Sequence, residues 1–188
     1  MSLFTTKNSE RNELVRRLYE RYGDEIFRFC LRQCRCRADA EDATQDVFVG
    51  AMKGFAGFRS EASHRTWLYR IALFTCRAMR KRSRTADVSL GDQRQAASHG
   101  SADETVEQIV FQQALDNLDE PLREAFTLVK VSGLTCQEAA TVMRAPVGTV
   151  KFWIHRAVQA LQLSVTDPSS ARGPSLSTTT NKENEYAL

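Results

Sequence analysis

Apolar positions along this chain recur with the spacing of helix faces, about 3.6 residues, and nowhere with the strict alternation of a half-buried strand. Residues 9–84 keep this period except at one glycine-bearing interruption, KGFAGFRSEASHRTW. The stretch 85–104, TADVSLGDQRQAASHGSADE, is polar and aperiodic, and reads as a flexible linker. The helical period returns over 105–165. Residues 166–188, rich in Ser, Thr and Pro, read as a disordered tail. The expected fold class is all-α, with two small helical domains joined by a flexible linker, the second containing a helix-turn-helix. No internal repeat is evident.

Within the first unit, DAEDATQDVFVGAMKGF reads as a helix with Asp39 as its N-cap. At about 100° per residue, Ala40, Thr44, Val47, Phe48, Ala51 and Phe55 gather on one side. Asp39, Asp42 and Asp46 gather almost opposite, with Val49 and Lys53 among them. A solvated face is the plain alternative. Val49 inside the acidic strip favours a surface for a partly apolar, partly basic protein. The three acids do not converge on a point, which argues against a carboxylate metal site.

HRTWLYRIALFTCRAMRKRSR is the second informative helix. Leu68, Ile71, Ala72, Thr75 and Met79 form its expected buried face. Arg70, Arg77, Lys81 and Arg84 form a stripe elsewhere, bordered by Trp67 and Phe74. Basic residues alone are most often solvated. Interleaved with aromatic rings, they suit single-stranded nucleic acid, because cations hold phosphates and rings stack on unpaired bases.

The second unit carries the helix-turn-helix order of short helix, tight turn and longer helix. Pro121 suits a first helical turn, and Gly133 suits the residue just past a helix end. Thr135 and Glu138 have capping-box spacing ahead of a short helix that buries Ala139, Ala140 and Met143. After a turn through 145–148, the longer helix buries Val150, Ile154, Ala157, Val158 and Leu161. Its outer face presents Thr149, Phe152, Arg156 and Gln159, with Lys151 and His155 to one side. In a major groove, Arg and Lys meet guanine, Gln meets adenine, and apolar atoms meet the thymine methyl.

Composition narrows the picture. The 188 residues carry 26 Lys+Arg against 23 Asp+Glu, a net charge of +3, so the charge is informative only where it clusters. No stretch approaches the roughly 18 apolar residues of a membrane span, and the N-terminus lacks the apolar run of a signal peptide. A soluble cytoplasmic protein without stable membrane insertion is expected. Five cysteines, Cys30, Cys34, Cys36, Cys76 and Cys136, suit reduced thiols rather than a disulfide framework. Cys30, Cys34 and Cys36 raise a metal question. No second Cys or His pair stands at ligand spacing, so neither a metal nor another cofactor is expected. No nucleophile, base and ligand set suggests an enzyme.

Three segments then resemble, in order, those of the extracytoplasmic-function class of bacterial RNA polymerase sigma factors. DAEDATQDVFVGAMKGFAGFR resembles the family's core-polymerase-binding helix. TWLYRIA resembles the start of the helix that opens and holds the minus-10 element. GLTCQEAATVMRAPVGTVKFWIHRAVQAL resembles the minus-35-binding helix-turn-helix. The likeness spans roughly 14–163. It implies core-polymerase contacts through Asp39, Asp42, Gln45, Asp46 and Val49. It implies minus-10 contacts through Arg65, Trp67, Arg70, Phe74, Arg77, Lys81 and Arg84. It implies minus-35 contacts through Thr149, Lys151, Phe152, His155, Arg156 and Gln159.

The implied partners are the polymerase core, promoter DNA and an anti-sigma factor, which would hold the chain at the inner membrane if itself membrane-bound. The implied activity is promoter-specific initiation by binding, without catalysis. The rival reading, a stand-alone helix-turn-helix regulator, lacks a dimerisation element or ligand pocket and leaves the acidic helix unexplained. The chain departs from the family pattern at several places. Phe74 and Ala78 stand where the family often has Asn and Asp. Ala43 and Thr44 replace a more apolar pair. Phe152 and Trp153 replace a common Ser-Arg. Phe152 is expected to meet a thymine methyl in the groove, or an anti-sigma factor when DNA is absent. Trp153 is expected to pack on a neighbouring helix or the DNA backbone.

Overall fold

The computed structural model describes residues 3–34, 36–55, 63–90 and 105–166, with side chains at 11–34, 36–55, 63–83 and 105–163. Among these residues every regular element is helical: α1 (Leu3–Gln33), α2 (Arg37–Gly54), α3 (His64–Leu90), α4 (Val106–Asp116), α5 (Glu120–Phe126), α6 (Cys136–Met143) and α7 (Val147–Thr166). A wider π-type turn, Thr127–Val131, prolongs α5. None of the described helices is long and apolar enough to cross a membrane. The segment 166–188, expected to be disordered, lies outside the described residues except for Thr166 at the end of α7.

Two expectations about helix ends are corrected. The N-cap of α2 is Cys36, not Asp39: the Cys36 Sγ accepts the Asp39 backbone N–H at 3.4 Å. Asp39 sits in the first turn, where its charge suits the positive end of the helix. The stretch expected to be linker from 85 onward starts as helix, because α3 runs on to Leu90. TADVSL contains neither Gly nor Pro, so nothing in it breaks the helix, and the first glycine is Gly91. Residues 91–104 lie outside the described residues.

Helices α1, α2 and α3 pack against one another as the first unit. Phe29 on α1 meets Tyr69 on α3 edge-on, with ring centroids 5.2 Å apart. Gly50 lets α2 approach α3 closely: a Cβ there would lie 3.3 Å from the Ile71 Cγ2. Cys30, Cys34 and Cys76 lie in this core, and the Cys34 and Cys76 sulfurs are 3.9 Å apart. Among the described residues, no group of three Cys, His, Asp or Glu side chains is arranged to hold a metal ion.

The second unit closes α5, α6 and α7 on one another, with α4 across α7. Thr135 caps α6, accepting from the Glu138 backbone N–H, while the Glu138 carboxylate accepts from the Thr135 N–H at 2.9 Å. Gly133 has φ 71°, a conformation glycine adopts freely, and turns the chain from the π-type turn into α6. Arg144 closes α6 at φ 54° and Pro146 precedes α7.

The two units do not hang apart. Helix α6 packs on α3, and buried apolar residues from Val15 to Cys76 and from Ala125 to Ile154 form one continuous cluster. Each unit alone is small, and sharing a core raises the fraction of apolar surface removed from water.

Candidate polymerase and nucleic-acid interfaces

Helix α2 buries Ala40, Ala43, Thr44, Val47, Phe48 and Ala51 against α1 and α3. Its outer side exposes Asp42, Gln45, Asp46 and Val49, with Asp39 half-buried at the first turn. Val49 is 44% exposed, an unusual place for a branched apolar side chain unless something covers it. Arg37 and Glu41 pair at 2.9 Å beside this face, and so exposed a pair contributes little to stability.

Helix α3 is buried on more than one side. Leu68 and Ala72 lie in the core as expected. Ile71, Thr75 and Met79 are only half-buried. Tyr69, Leu73, Cys76 and Arg80, spaced three and four apart, are the deeper stripe. The helix is therefore rotated from the face its apolar pattern suggested: this stripe faces α1, with Tyr69 on Phe29, Cys76 beside Cys34 and Arg80 on the Gln33 carbonyl, while the second unit covers another side of the helix.

That cover engages Arg77 of the basic stripe, together with Arg80, which lies outside the stripe as read from the sequence. The Arg77 guanidinium donates to both carboxylate oxygens of Glu124, at 2.9 and 2.6 Å. This two-pronged pairing raises the Arg77 pKa further above its ordinary value. Arg80 donates to Glu124 at 2.8 Å, to Glu120, and to the Gln33 carbonyl at 3.0 Å. Glu124 is fully buried. Arg123 is buried beside them, and desolvation together with the Arg80 charge lowers its pKa.

Phe74, 39% exposed, has two guanidinium groups over its ring: Arg77 at 5.5 Å and Arg144, from the helix-turn-helix turn, at 5.4 Å. Arg65 is tied to Glu25 and to the Ser132 carbonyl. Thr66 donates to Glu138 at 3.4 Å. Trp67 packs edge-on against Phe55. Arg70 is half-buried, Lys81 is exposed, and the side chain of Arg84 lies outside the described residues. Arg65, Phe74 and Arg77 are thus brought to the seam between the units.

Helix α7 has the opposite character. Val150, Ile154 and Ala157 are buried, and Val158 and Leu161 are half-buried. Lys151, Phe152, His155, Arg156 and Gln159 are exposed on the outer side, and Thr149 is half-exposed. Phe152 is 55% exposed. Trp153 is half-buried and packs against the main core, as its place at the border of the two faces suggested.

The sequence reading missed Arg80, Glu120, Glu124 and Arg144. Arg80 was the most accessible of these, since it falls on the helical repeat of Leu73 and Cys76. An arginine on an apolar stripe signals a buried partner. Glu120 and Glu124, four apart on a helix, carry no such signal.

Comparison with known proteins fits this geometry. Residues 18–85 match the family model of Sigma-70 region 2, and residues 108–161 that of Sigma-70, region 4. The pair of matches defines the class: a sigma-70-type transcription initiation factor. The ECF RNA polymerase sigma-E factor of Escherichia coli is 34% identical over 142 residues, spanning 68% of this chain and 74% of that protein. The RNA polymerase sigma-H factor of Pseudomonas aeruginosa is 32% identical over 156 residues, spanning 75% and 80%.

Among solved structures, the sigma factor RpoE of Bartonella quintana, in complex with the anti-sigma factor NepR, superposes with a TM-score of 0.69 at 25% identity. That match covers 80% of this chain and 96% of RpoE. CnrH, in complex with the cytosolic domain of CnrY, shares the fold at a TM-score of 0.66 and 24% identity, covering 86% and 94%. The chain belongs to the extracytoplasmic-function family of RNA polymerase sigma factors. It is an alternative sigma factor, directing promoter-specific transcription initiation.

Proposed function

We propose that this sigma factor divides its work among three helix faces, by binding rather than by catalysis. The exposed side of α2, through Asp39, Asp42, Gln45, Asp46 and Val49, docks on the polymerase core. The observation that carries this is the exposed Val49 within an acidic strip: acids steer a basic partner, and an apolar centre gives the contact area to bury.

The unit spanning 9–84 holds the melted minus-10 element through Arg65, Trp67, Arg70, Phe74, Arg77, Lys81 and Arg84. The unit spanning 105–165 holds the minus-35 duplex through Thr149, Lys151, Phe152, His155, Arg156 and Gln159. Six polar or aromatic side chains ranged along one exposed helix face support the second assignment. An anti-sigma factor is the expected regulator, consistent with the RpoE–NepR complex. Were that factor membrane-bound, it would hold the chain at the inner membrane.

Reconstitution tests this. Purified chain, bacterial core polymerase and a promoter library should give transcripts with a shared start motif. Asp42→Ala with Asp46→Ala should abolish core association while DNA binding by the isolated factor persists. Core association unaffected by that pair would remove α2 from the polymerase interface.

A further inference from the structure

The carboxylates that hold Arg77 and Arg80 come from the other half of the chain: Glu124 lies 47 and 44 residues away. Three arginines, Arg77, Arg80 and Arg123, meet at this seam with three acids, Glu120, Glu124 and, acting on Arg123, Asp116. The Nε atoms of Arg80 and Arg123 are buried there without a hydrogen-bond partner.

A carboxylate presents to a guanidinium fork the same paired oxygens that a phosphate does. Arg144 on Phe74, Arg65 on the Ser132 carbonyl, and Thr66 with Glu138 bind the second unit along the same side of α3. The recognition side of α7 takes no part and stays open.

We propose that α5 is an autoinhibitory lock, in which Glu124 holds Arg77 of the cationic stripe of α3, and Glu120 and Glu124 hold the neighbouring Arg80, where promoter phosphates would otherwise lie. The inference rests on the assignment of that stripe to minus-10 DNA. Its consequence is an order of events. The α7 face can meet duplex DNA while the units are closed. The α3 stripe becomes available only when they part, so its apparent affinity for single strands is reduced by the fraction of molecules that are open.

The test uses the full chain without anti-sigma factor. Glu120→Gln with Glu124→Gln keeps the shape and removes the anions. The readouts are the radius of gyration by small-angle X-ray scattering, and binding of a mixed-sequence single-stranded DNA oligonucleotide. The double variant should be larger and should bind single strands about tenfold more tightly at fixed salt. No increase in size, with helix content intact by circular dichroism, overturns the lock. A larger molecule with unchanged single-strand affinity overturns the assignment of the stripe to DNA, and the competition with it, while showing that the glutamates do hold the units together.

Should the double variant lose helix content, Arg144→Gly carries the same readouts. Glycine suits the φ of 54° there, and the change removes one seam contact without touching the buried charges. It should shift both readouts in the same directions by a smaller amount, and no shift in size counts against the lock.

Discussion

Helices α3 and α7 are both amphipathic, both basic on their outer sides and both assigned to promoter DNA, yet the fold treats them in opposite ways. Helix α7 buries one stripe and leaves its outer side, with Lys151, Phe152, His155, Arg156 and Gln159, in solvent. Helix α3 is covered by its own unit on one side and by the α5 and α6 region on another. A combination of cations and aromatic rings therefore yields a displayed surface in one place and an occupied one in the other. The difference teaches that a basic stripe advertises an affinity for anions without saying which anion it holds. In α3 the nearest anions belong to the chain itself.

The sharpest way to break the comparison is by stability. Leu73→Ala, in the fully buried stripe of α3, should cost about 2–5 kcal/mol in denaturant unfolding. Phe152→Ala, on the open side of α7, should stay within about 0.5 kcal/mol. Equal costs would mean that α7 is covered in solution as α3 is.

Next comes the salt dependence of single-strand binding. Arg77→Ala with Lys81→Ala should weaken open-complex formation. Removing two phosphate contacts should also lower the slope of log affinity against log salt by about 1.4. An unchanged slope would take those two residues off the phosphate backbone.

Specificity sharpens the comparison from the α7 side. Phe152→Ser should change the base preferred within the minus-35 element by about 1–3 kcal/mol of discrimination at one position, read by selection from randomised sites. An identical selected motif for both proteins would place Phe152 outside the groove.

The smallest effect is titration at the seam. Backbone and side-chain hydrogen bonds from Thr135 come first, and then the Arg65 charge, in holding the Glu138 carboxyl below its ordinary value of 4.5. Because the folded value is the lower one, the stabilisation is complete above the unfolded value and fades as pH falls through the folded one. For so exposed a group it amounts to less than about 1 kcal/mol. Glu138→Gln should flatten the stability curve in that acidic range by the same small amount. A curve that kept its full acid slope would assign the titration to other groups.

Much of the local architecture was legible in the sequence. The capping box of Thr135 and Glu138, the turn at Gly133 and the inward stripe of α7 follow from hydrogen-bond chemistry and helix period over a few residues. The buried side of α2 was legible for the same reason, down to Ala43 and Thr44 on its packing side. Its first residue was not. Cys36 took the cap because a thiol can accept a backbone N–H, and Asp39, the better cap by frequency, was left one turn in. The start of the linker was also misplaced, since polarity alone does not end a helix that lacks Gly and Pro.

Sequence by itself determined the helical segments, to within a few residues at their ends, and the faces that α2 and α7 hide, because these depend on neighbours within a turn or two. Only the tertiary structure decided that Arg80 is buried, that Glu124 closes on Arg77, and that Arg144 lies over Phe74. Those pairings join residues from the two sides of the 91–104 segment. The helical period fixes angles around one axis and carries no information about how two axes are set against each other. That setting came from the shared apolar core, which brought the two units together and so chose the partner of each charge.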